Sequence, residues 1–312
     1  MALALQGGGA LGAFTWGVLD RLLEDGATFE SISGASSGAV NALLVTSGLQ
    51  HGGPEEARAR LERFWRRASD KAANPLAVTT FRSGLALFPR VFSPYQFNPL
   101  GLNPLREMLA EEIDFETIAG ADIALLIAAT RVRDGALRIF RNHELTVDAV
   151  LASAALPMVH HAIEIENEWY WDGGYSANPP LLPLVLESSP RDVLVVQIVP
   201  TESDALPRTP REINGRLTQI TFNRSLMSEL ETITELSQRS EQADGALARK
   251  LQQLCLHTIR AEDSFANLAD ANALNLDWNF LVRLRDAGRA AAENWLNSSR
   301  GATGARQSAV LD

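Results

Sequence analysis

Residues 28–47 read TFESISGASSGAVNALLVTS. A short β-branched run in this stretch breaks at Gly34-Ala35-Ser36-Ser37-Gly38 and resumes as small and aliphatic residues, which predicts a strand, a sharp turn and a helix. G-x-S-x-G is typical of such a turn, because glycines let the backbone tighten and leave the serine exposed. The pattern predicts that Ser36 is a nucleophile at a helix N-terminus, where N–H groups favour an oxyanion. A Gly/Ser-rich surface turn is the simpler alternative.

A second glycine motif, QGGGALG at residues 6–12, lies between a short apolar run and a predicted helix at 13–24. The amides of such a loop can bind an anion, because no side chain holds the ligand away. The letters also satisfy the dinucleotide fingerprint G-x-G-x-x-G, which needs an acidic residue at the end of the second strand. Glu30 begins that strand and the Ser36 turn ends it. An oxyanion site is therefore favoured over a dinucleotide site or a purely structural turn.

The third candidate is Asp172, at the end of a predicted hairpin at 163–172 and before Gly173-Gly174. An Asp-Gly pair is commonly only a turn. Here the preceding strand is aromatic, and an Asn-Pro-Pro stop follows at 178–180, which would hold the carboxylate rigidly at the strand end. Trp169 and Trp171 are candidates for shielding that carboxylate from water.

The composition excludes several classes of function. The 312 residues are 46% hydrophobic and carry a net charge of −10, which argues against duplex nucleic acid as a partner and against broad attraction to anionic membranes, while local basic patches stay possible. The single cysteine, Cys255, allows no internal disulfide and is expected to be a buried small residue. We expect no metal and no cofactor, since no Cys/His cluster is present. The sequence shows no signal peptide or membrane-spanning run, which predicts a cytoplasmic protein.

The chain divides by composition. Near-continuous apolar runs at 123–130 and 192–199 predict buried strands, and we expect the core domain to cover 1–205. Within it, 74–104 is rich in proline and aromatic residues and is either a packed loop or a lid over an apolar substrate. Residues 206–297 predict amphipathic helices that pack on the core or pair with another subunit, and 298–312 a disordered tail.

Together the glycine loop, the serine turn and the DGG motif after an ASAALP helix resemble the patatin-like phospholipases over about residues 3–200. The resemblance implies an α/β fold with three layers, α/β/α, around a mostly parallel sheet, and C-terminal helices like those of a bacterial subgroup. It implies a lipid or acyl-ester substrate, possible transient contact with a lipid surface, Ser36 as nucleophile and Asp172 as base. It implies an oxyanion hole formed by Gly7, Gly8, Gly9, Ala10, Leu11 and Gly12.

One position departs from the family pattern. The family loop often carries Arg or Lys where this chain has Leu11, so the choice between a charged phospholipid and a neutral ester stays open. Two alternatives also stay open. The chain order Ser36, Asp172, His257 is that of an α/β-hydrolase triad, although there the serine turn follows more than two strands. A non-catalytic protein could instead bind lipid through 74–104.

Overall fold

The computed structural model describes residues 1–73, 93–188, 191–203, 206–240, 245–264 and 273–301. The predicted lid therefore falls largely outside the described residues, as does the predicted tail beyond 301. The strands are β1 Ala2–Leu5, β2 Ser31–Gly34, β3 Ala124–Arg131, β4 Leu137–Arg141, β5 Ile163–Ile165, β6 Glu168–Asp172, β7 Asp192–Gln197 and β8 Cys255–Arg260. The helices are α1 Gly12–Glu24, α2 Ser37–Ala73, α3 Pro94–Phe97, α4 Pro104–Glu112, α5 Phe115–Ala119, α6 Val147–Ser153, α7 Leu181–Glu187, α8 Pro210–Ser240, α9 Ala246–Gln253 and α10 Trp278–Gly301.

The eight strands form one mixed sheet in the order β5-β6-β3-β2-β1-β7-β8, with β4 also paired to β3. The pairs among β3, β2, β1, β7 and β8 are parallel, and β4, β5 and β6 run antiparallel to their neighbours. The ends of β1 and β2 therefore lie side by side, since Leu5 pairs with Gly34. This arrangement brings the glycine loop and the serine turn to one edge of the sheet.

The end of β6 also lies next to the end of β2, because both strands pair with the same side of β3. β4 pairs with Leu126 to Thr130, a stretch that overlaps both the residues paired with β2 and those paired with β6. Because a strand has two edges, β2 and β6 must share the one that β4 leaves open. Gly34 at the end of β2 pairs with Ile127, and Asp172 at the end of β6 pairs with Ala129. The two strand ends thus meet about 7 Å apart along β3.

Helices cover both faces of the sheet. On β1, Leu3 and Leu5 belong to a core shared with α1, α2 and α10, whereas Ala2 and Ala4 belong to a core shared with α7 and α8. Successive strand residues point to opposite faces, so this division is what a strand buried on both faces requires. The predicted three-layer fold with a mostly parallel sheet and added C-terminal helices is confirmed. None of the described helices combines the length and apolar character needed to cross a membrane.

The sequence analysis missed one strand. β8 pairs in parallel with β7 and extends the sheet beyond the expected core domain. Cys255, its first residue, is only half-buried, so the expectation of a buried residue was wrong. β8 lies at the sheet edge, where five of its six residues keep partial exposure, and it lacks the apolar run by which central strands were recognised.

α10 packs on α1 through a close approach of the two backbones. A Cβ atom added at Gly288 would lie 2.1 Å from the carbonyl oxygen of Phe14, and one at Gly17 would lie 1.9 Å from that of Arg285. No side chain fits at such a distance, so glycine at both positions lets the helices touch. The C-terminal helix is thereby part of the same packed body as the first helix.

We predict that Gly288→Ala lowers the free energy of unfolding by about 1 to 3 kcal/mol, because the methyl group forces the helices apart. Urea unfolding followed by circular dichroism measures the effect. Gly215→Ala is the matched control, because Gly215 also lies in a helix but has open space around its Cα. It should be neutral or stabilising by up to about 1 kcal/mol. Equal effects of the two substitutions would contradict the close packing.

Candidate active site

Ser36 lies in the turn between β2 and α2 with a left-handed backbone, φ 51°. This conformation is unfavourable for a residue with a side chain and persists only where the surroundings enforce it. Its N–H lies 3.1 Å from the carbonyl oxygen and 3.0 Å from the hydroxyl oxygen of Ser153, both of which can accept its hydrogen bond. The N–H of Gly38 donates to Ala35 at 2.8 Å and closes the turn. Ser36 is therefore held in a tight turn by the end of α6.

Glycines around the turn permit its close packing. A Cβ atom at Gly38 would lie 2.1 Å from the Leu5 carbonyl oxygen, and one at Gly34 would lie 2.8 Å from Ala39 N. A Cβ atom at Gly7 would lie 2.7 Å from the Cβ of Ser36. The glycine loop thus passes directly against the serine, which no larger residue at position 7 would allow.

Asp172 ends β6 and is completely buried. Its N–H donates to Ala155 O at 2.9 Å, and its carbonyl accepts from the Thr130 hydroxyl at 2.8 Å. Carboxylate Oδ1 accepts from the Gly174 N–H at 2.8 Å. Oδ2 has no hydrogen-bond partner of normal geometry among the described residues. A buried polar atom without a partner is costly, and such atoms often mark functional sites.

Burial raises the pKa of Asp172 from 3.8 to about 7, because the charged form loses its hydration. The Gly174 amide and the Ser36 hydroxyl favour the charged carboxylate and so lower the pKa in part. The serine hydroxyl therefore lies near the carboxylate, although Oδ2 accepts no hydrogen bond among the described residues. A carboxylate with a pKa near 7 is matched to accepting a proton at neutral pH.

The two tryptophans do not shield Asp172, contrary to the expectation from the sequence. Trp171 adjoins Asp172 in the strand, so its side chain points to the opposite face of the sheet, and Trp169 is 46% exposed. Two other contacts close on the site. A Cβ atom at Gly173 would lie 2.2 Å from the carbonyl oxygen of Ala128. Burial raises the pKa of Tyr175, and the charge of Asp172 raises it further. Close backbone packing therefore contributes to the burial of the carboxylate, and Tyr175 lies near enough for its pKa to depend on the charge of Asp172.

The amides of the glycine loop are mostly engaged within the protein. Gly7 N–H donates to Asn178 Oδ1 at 2.7 Å, and Gly8 N–H to Ser37 Oγ at 3.1 Å. Ala10 N–H donates to Ala273 O at 2.7 Å. The remaining engaged amides are Leu11 N–H, which donates to Gly8 O, and Gly12 N–H, which donates to Ala10 O and Gly9 O.

Gly9 differs from its neighbours in the loop. No hydrogen bond of its N–H to another described residue is found, and it keeps partial exposure where Gly8 and Ala10 are buried. Its φ of 60° also favours glycine. Of the six positions expected to form an oxyanion hole, Gly9 thus carries the amide that is free for a ligand. Leu11 points into the hydrophobic core and is 4% exposed.

Asn178 is a buried residue that the sequence analysis treated only as part of a turn. Its Oδ1 accepts from Gly7 N–H, and its Nδ2 donates to Gly7 O at 3.1 Å and to Phe222 O at 3.2 Å. It therefore links the glycine loop to the loop after Asp172 and to α8. An asparagine before two prolines is equally typical of a surface turn. No signal in the sequence therefore predicted that Asn178 links these three elements.

His257 and His161 have their partners outside this arrangement. His257 Nε2 lies 3.0 Å from Asp192 Oδ1, and its ring packs edge-on against Trp295. His161 Nε2 is 3.2 Å from Pro94 O, and its ring stacks on Tyr95. His257 thus pairs with a different carboxylate from the one beside Ser36. Within the described ranges, no group of three metal-ligating side chains is found.

Comparison with known proteins finds a family model and solved structures that are similar to this chain. A family model described as patatin-like phospholipase matches residues 3–185. VipD from Legionella pneumophila is 14% identical, with 92% of this chain and 67% of that chain covered and a TM-score of 0.38. ExoU in its complex with SpcU from Pseudomonas aeruginosa is 17% identical, with coverages of 97% and 76% and a TM-score of 0.36. No curated protein matches the chain.

We predict that Asp172→Asn stabilises the protein at pH 8 and much less at pH 4. The folded pKa is about 7 and the ordinary value 3.8, so between these values the unfolded chain loses a proton that the folded chain keeps. Wild-type stability from this group therefore falls as pH rises through that window. The variant has no ionisable group at this position, so it does not lose this stability, which amounts to about 4 kcal/mol at most.

Urea unfolding at pH 4 and pH 8 measures the difference. Asp134→Asn is the control, because hydrogen bonds from Arg131 and the Ala136 amide lower the pKa of exposed Asp134 to about 2. This control should not stabilise the protein at pH 8. A parallel pH dependence of wild type and Asp172→Asn would rule out a charge buried at Asp172.

Proposed function

The chain belongs to the patatin-like phospholipase family, membership of which implies a lipid acyl hydrolase, and we propose that it cleaves lipid carboxylic esters with Ser36 as nucleophile and Asp172 as general base. The observation that carries the proposal is the fully buried Asp172 carboxylate, whose Oδ2 has no normal partner while the Ser36 hydroxyl lies beside it. A base in this state has a free oxygen for the proton of the nucleophile.

The reaction proceeds in two halves. Ser36 Oγ attacks the ester carbonyl carbon as its proton passes to Asp172, and the tetrahedral intermediate collapses to an acyl-enzyme when that proton is delivered to the leaving alkoxide. Water then gives a proton to Asp172 and attacks the acyl-enzyme. Collapse returns the proton to Ser36 and releases the carboxylic acid, so that the free enzyme is restored.

The oxyanion of each intermediate is stabilised by backbone donors. Gly9 N–H supplies the free donor, and the Gly8 amide becomes a second one if the Ser37 hydroxyl rotates away. Donors of this kind contribute about 3 kcal/mol each to the transition state. They require no side-chain charge, so the buried Leu11 does not prevent catalysis.

The remaining expectations from the sequence belong to the same proposal. Residues 1–205 carry the chemistry, and 206–297 form the mostly helical extension that resembles that of a bacterial subgroup. We place the protein in the cytoplasm, in transient contact with lipid surfaces. An α/β-hydrolase triad is less well supported, because His257 pairs with Asp192. A non-catalytic lipid-binding protein would not need an uncompensated carboxylate beside a strained serine.

We predict that Ser36→Ala and Asp172→Asn each reduce hydrolysis of a soluble p-nitrophenyl ester by at least about a thousandfold, because nucleophile and base act as a unit. His257→Ala should keep full activity. Circular dichroism of each variant controls for folding. A large loss in His257→Ala would establish the triad instead, and turnover by all variants at the wild-type rate would favour the non-catalytic alternative.

The pH dependence offers a separate measurement. Asp172 accepts a proton only when ionised, so kcat/KM should rise with pH and level off above about 7. A profile measured with the soluble ester from pH 4 to 9 reports this ionisation. An activity that is flat from pH 5 upward would show a base with an ordinary carboxyl pKa, contrary to the burial described above.

Asn178 is predicted to act as a positioning residue. Asn178→Asp removes the Nδ2 donor shared by Gly7 and Phe222, so the glycine loop shifts relative to Ser36. A shift near 1 Å can cost about a hundredfold in kcat. We therefore expect kcat for the soluble ester to fall by about tenfold to a hundredfold while KM changes little.

Asn142→Asp is the matched control for this experiment. Asn142 also donates Nδ2 to two carbonyl oxygens, those of Ile118 and Ile123, and accepts from the Leu125 amide. It follows β4 and its side chain bonds beside the start of β3, at the end of the strand opposite to the serine turn. A similar loss of stability in both variants with a loss of kcat only in Asn178→Asp supports positioning. An equal loss of kcat in both variants would show that the effect of Asn178→Asp is general destabilisation, which would contradict a positioning role.

A further inference from the structure

The N-terminal part of α8 leaves an apolar stripe uncovered. Ile213, Leu217 and Ile220 are 42%, 56% and 50% exposed. Their spacing of four and three residues places them within an arc of about 60° on the helix, on the side away from Phe222. From Phe222 onward the helix is buried against the body of the protein at regular intervals. The first three turns are mostly exposed and are tied to the segment before the helix through Arg216, which donates to Thr201 O at 2.9 Å.

The same part of the chain has a charge opposite to that of the whole. Residues 206–224, LPRTPREINGRLTQITFNR, contain four arginines and one glutamate, in a protein with a net charge of −10. Helical spacing places Arg216 beside the apolar stripe and Arg224 in line with it, one turn beyond Ile220. Leu206, just before the helix, is 77% exposed. An exposed apolar stripe with flanking arginines is the pattern of helices that lie in the interface of anionic lipid.

This helix is fastened to the loop that carries Asp172. Asn178 Nδ2 donates to Phe222 O at 3.2 Å, and Ser225 Oγ accepts from Asn178 N–H at 3.1 Å. Tyr175, which follows the DGG motif, packs its ring edge-on against Phe222 and is 41% exposed. A surface depression of about 490 Å³ is lined by Tyr175, Ile220 and Arg224, among other residues. The apolar stripe is therefore continuous with the surface above the carboxylate.

We propose that residues 210–224 form a docking helix that lays its stripe of Ile213, Leu217 and Ile220 into an anionic lipid surface. The inference rests on the proposed lipid hydrolysis and identifies the surface by which that site meets its substrate. Arginines attract the anionic headgroups, and the apolar stripe enters the boundary between headgroups and acyl chains. Tyr175, which lines the same depression as Ile220 and Arg224, then faces the lipid beside the loop that follows Asp172.

The test compares Ile213→Glu/Leu217→Glu with Leu236→Glu. Leu236 lies on the same helix and is 42% exposed, so the control changes the same chemistry outside the docking helix. Binding to phosphatidylcholine vesicles with and without phosphatidylserine is measured by co-sedimentation in a Ser36→Ala background, which leaves the vesicles intact. We expect at least about a tenfold loss of partitioning for the double variant and none for Leu236→Glu. Arg224→Gln should weaken binding to anionic vesicles by about fivefold and reduce its salt dependence.

Hydrolysis of the soluble ester separates this proposal from the proposed function. In the wild-type background the double variant should hydrolyse that ester at the normal rate and lose activity on anionic vesicles only. Inactive wild type that still binds vesicles would overturn the hydrolase and keep the docking helix. The docking helix is overturned if the double variant binds vesicles as wild type does, or if wild type does not bind them. It is also overturned if gel filtration shows that wild type is a dimer which the double variant dissociates.

Discussion

The candidate active site depends on one edge of β3, with which both β2 and β6 pair. β3 pairs with β4 along one side, so β2 and β6 must divide the other side between them, and they arrive from opposite directions. The ends of the two strands meet, with Ser36 just beyond one and Asp172 at the tip of the other. Two residues far apart in sequence are thereby placed side by side by hydrogen bonds of the sheet alone. Glycine at positions 7, 38 and 173 then allows the surrounding backbones to close on them.

The closure has an energetic cost. Enclosing Asp172 raises its pKa to about 7, which means that the folded protein holds the ionised carboxylate against its preference for water. The strained backbone of Ser36 adds to that cost. Hydrogen bonds with neighbouring residues hold the surrounding backbone in place. Ser153 accepts from the Ser36 amide, and Asn178 accepts from the Gly7 amide. Such opposition between stability and reactivity is common at catalytic sites.

Local patterns predicted the parts of the site that are themselves local. The turn at Ser36, the end of β6 at Asp172 and the three-layer fold followed from glycines, strand patterns and a family resemblance. Two features depend on the folded chain and could not be predicted. The partners of Asn178 lie far away in sequence, and the edge strand β8 lacks a continuous apolar run. The face on which Trp171 lies follows from the alternation along β6, which the sequence analysis overlooked.

The bond from Ala10 N–H to Ala273 O has a consequence for how the protein matures. On the ribosome the glycine loop emerges first, and its partner at Ala273 emerges 263 residues later. The loop must wait for that carbonyl, and for the docking of α10 against α1, before it takes its final shape. A nascent chain therefore carries the sequence of the glycine loop and of the serine turn long before the loop can adopt the conformation that it has in the folded protein.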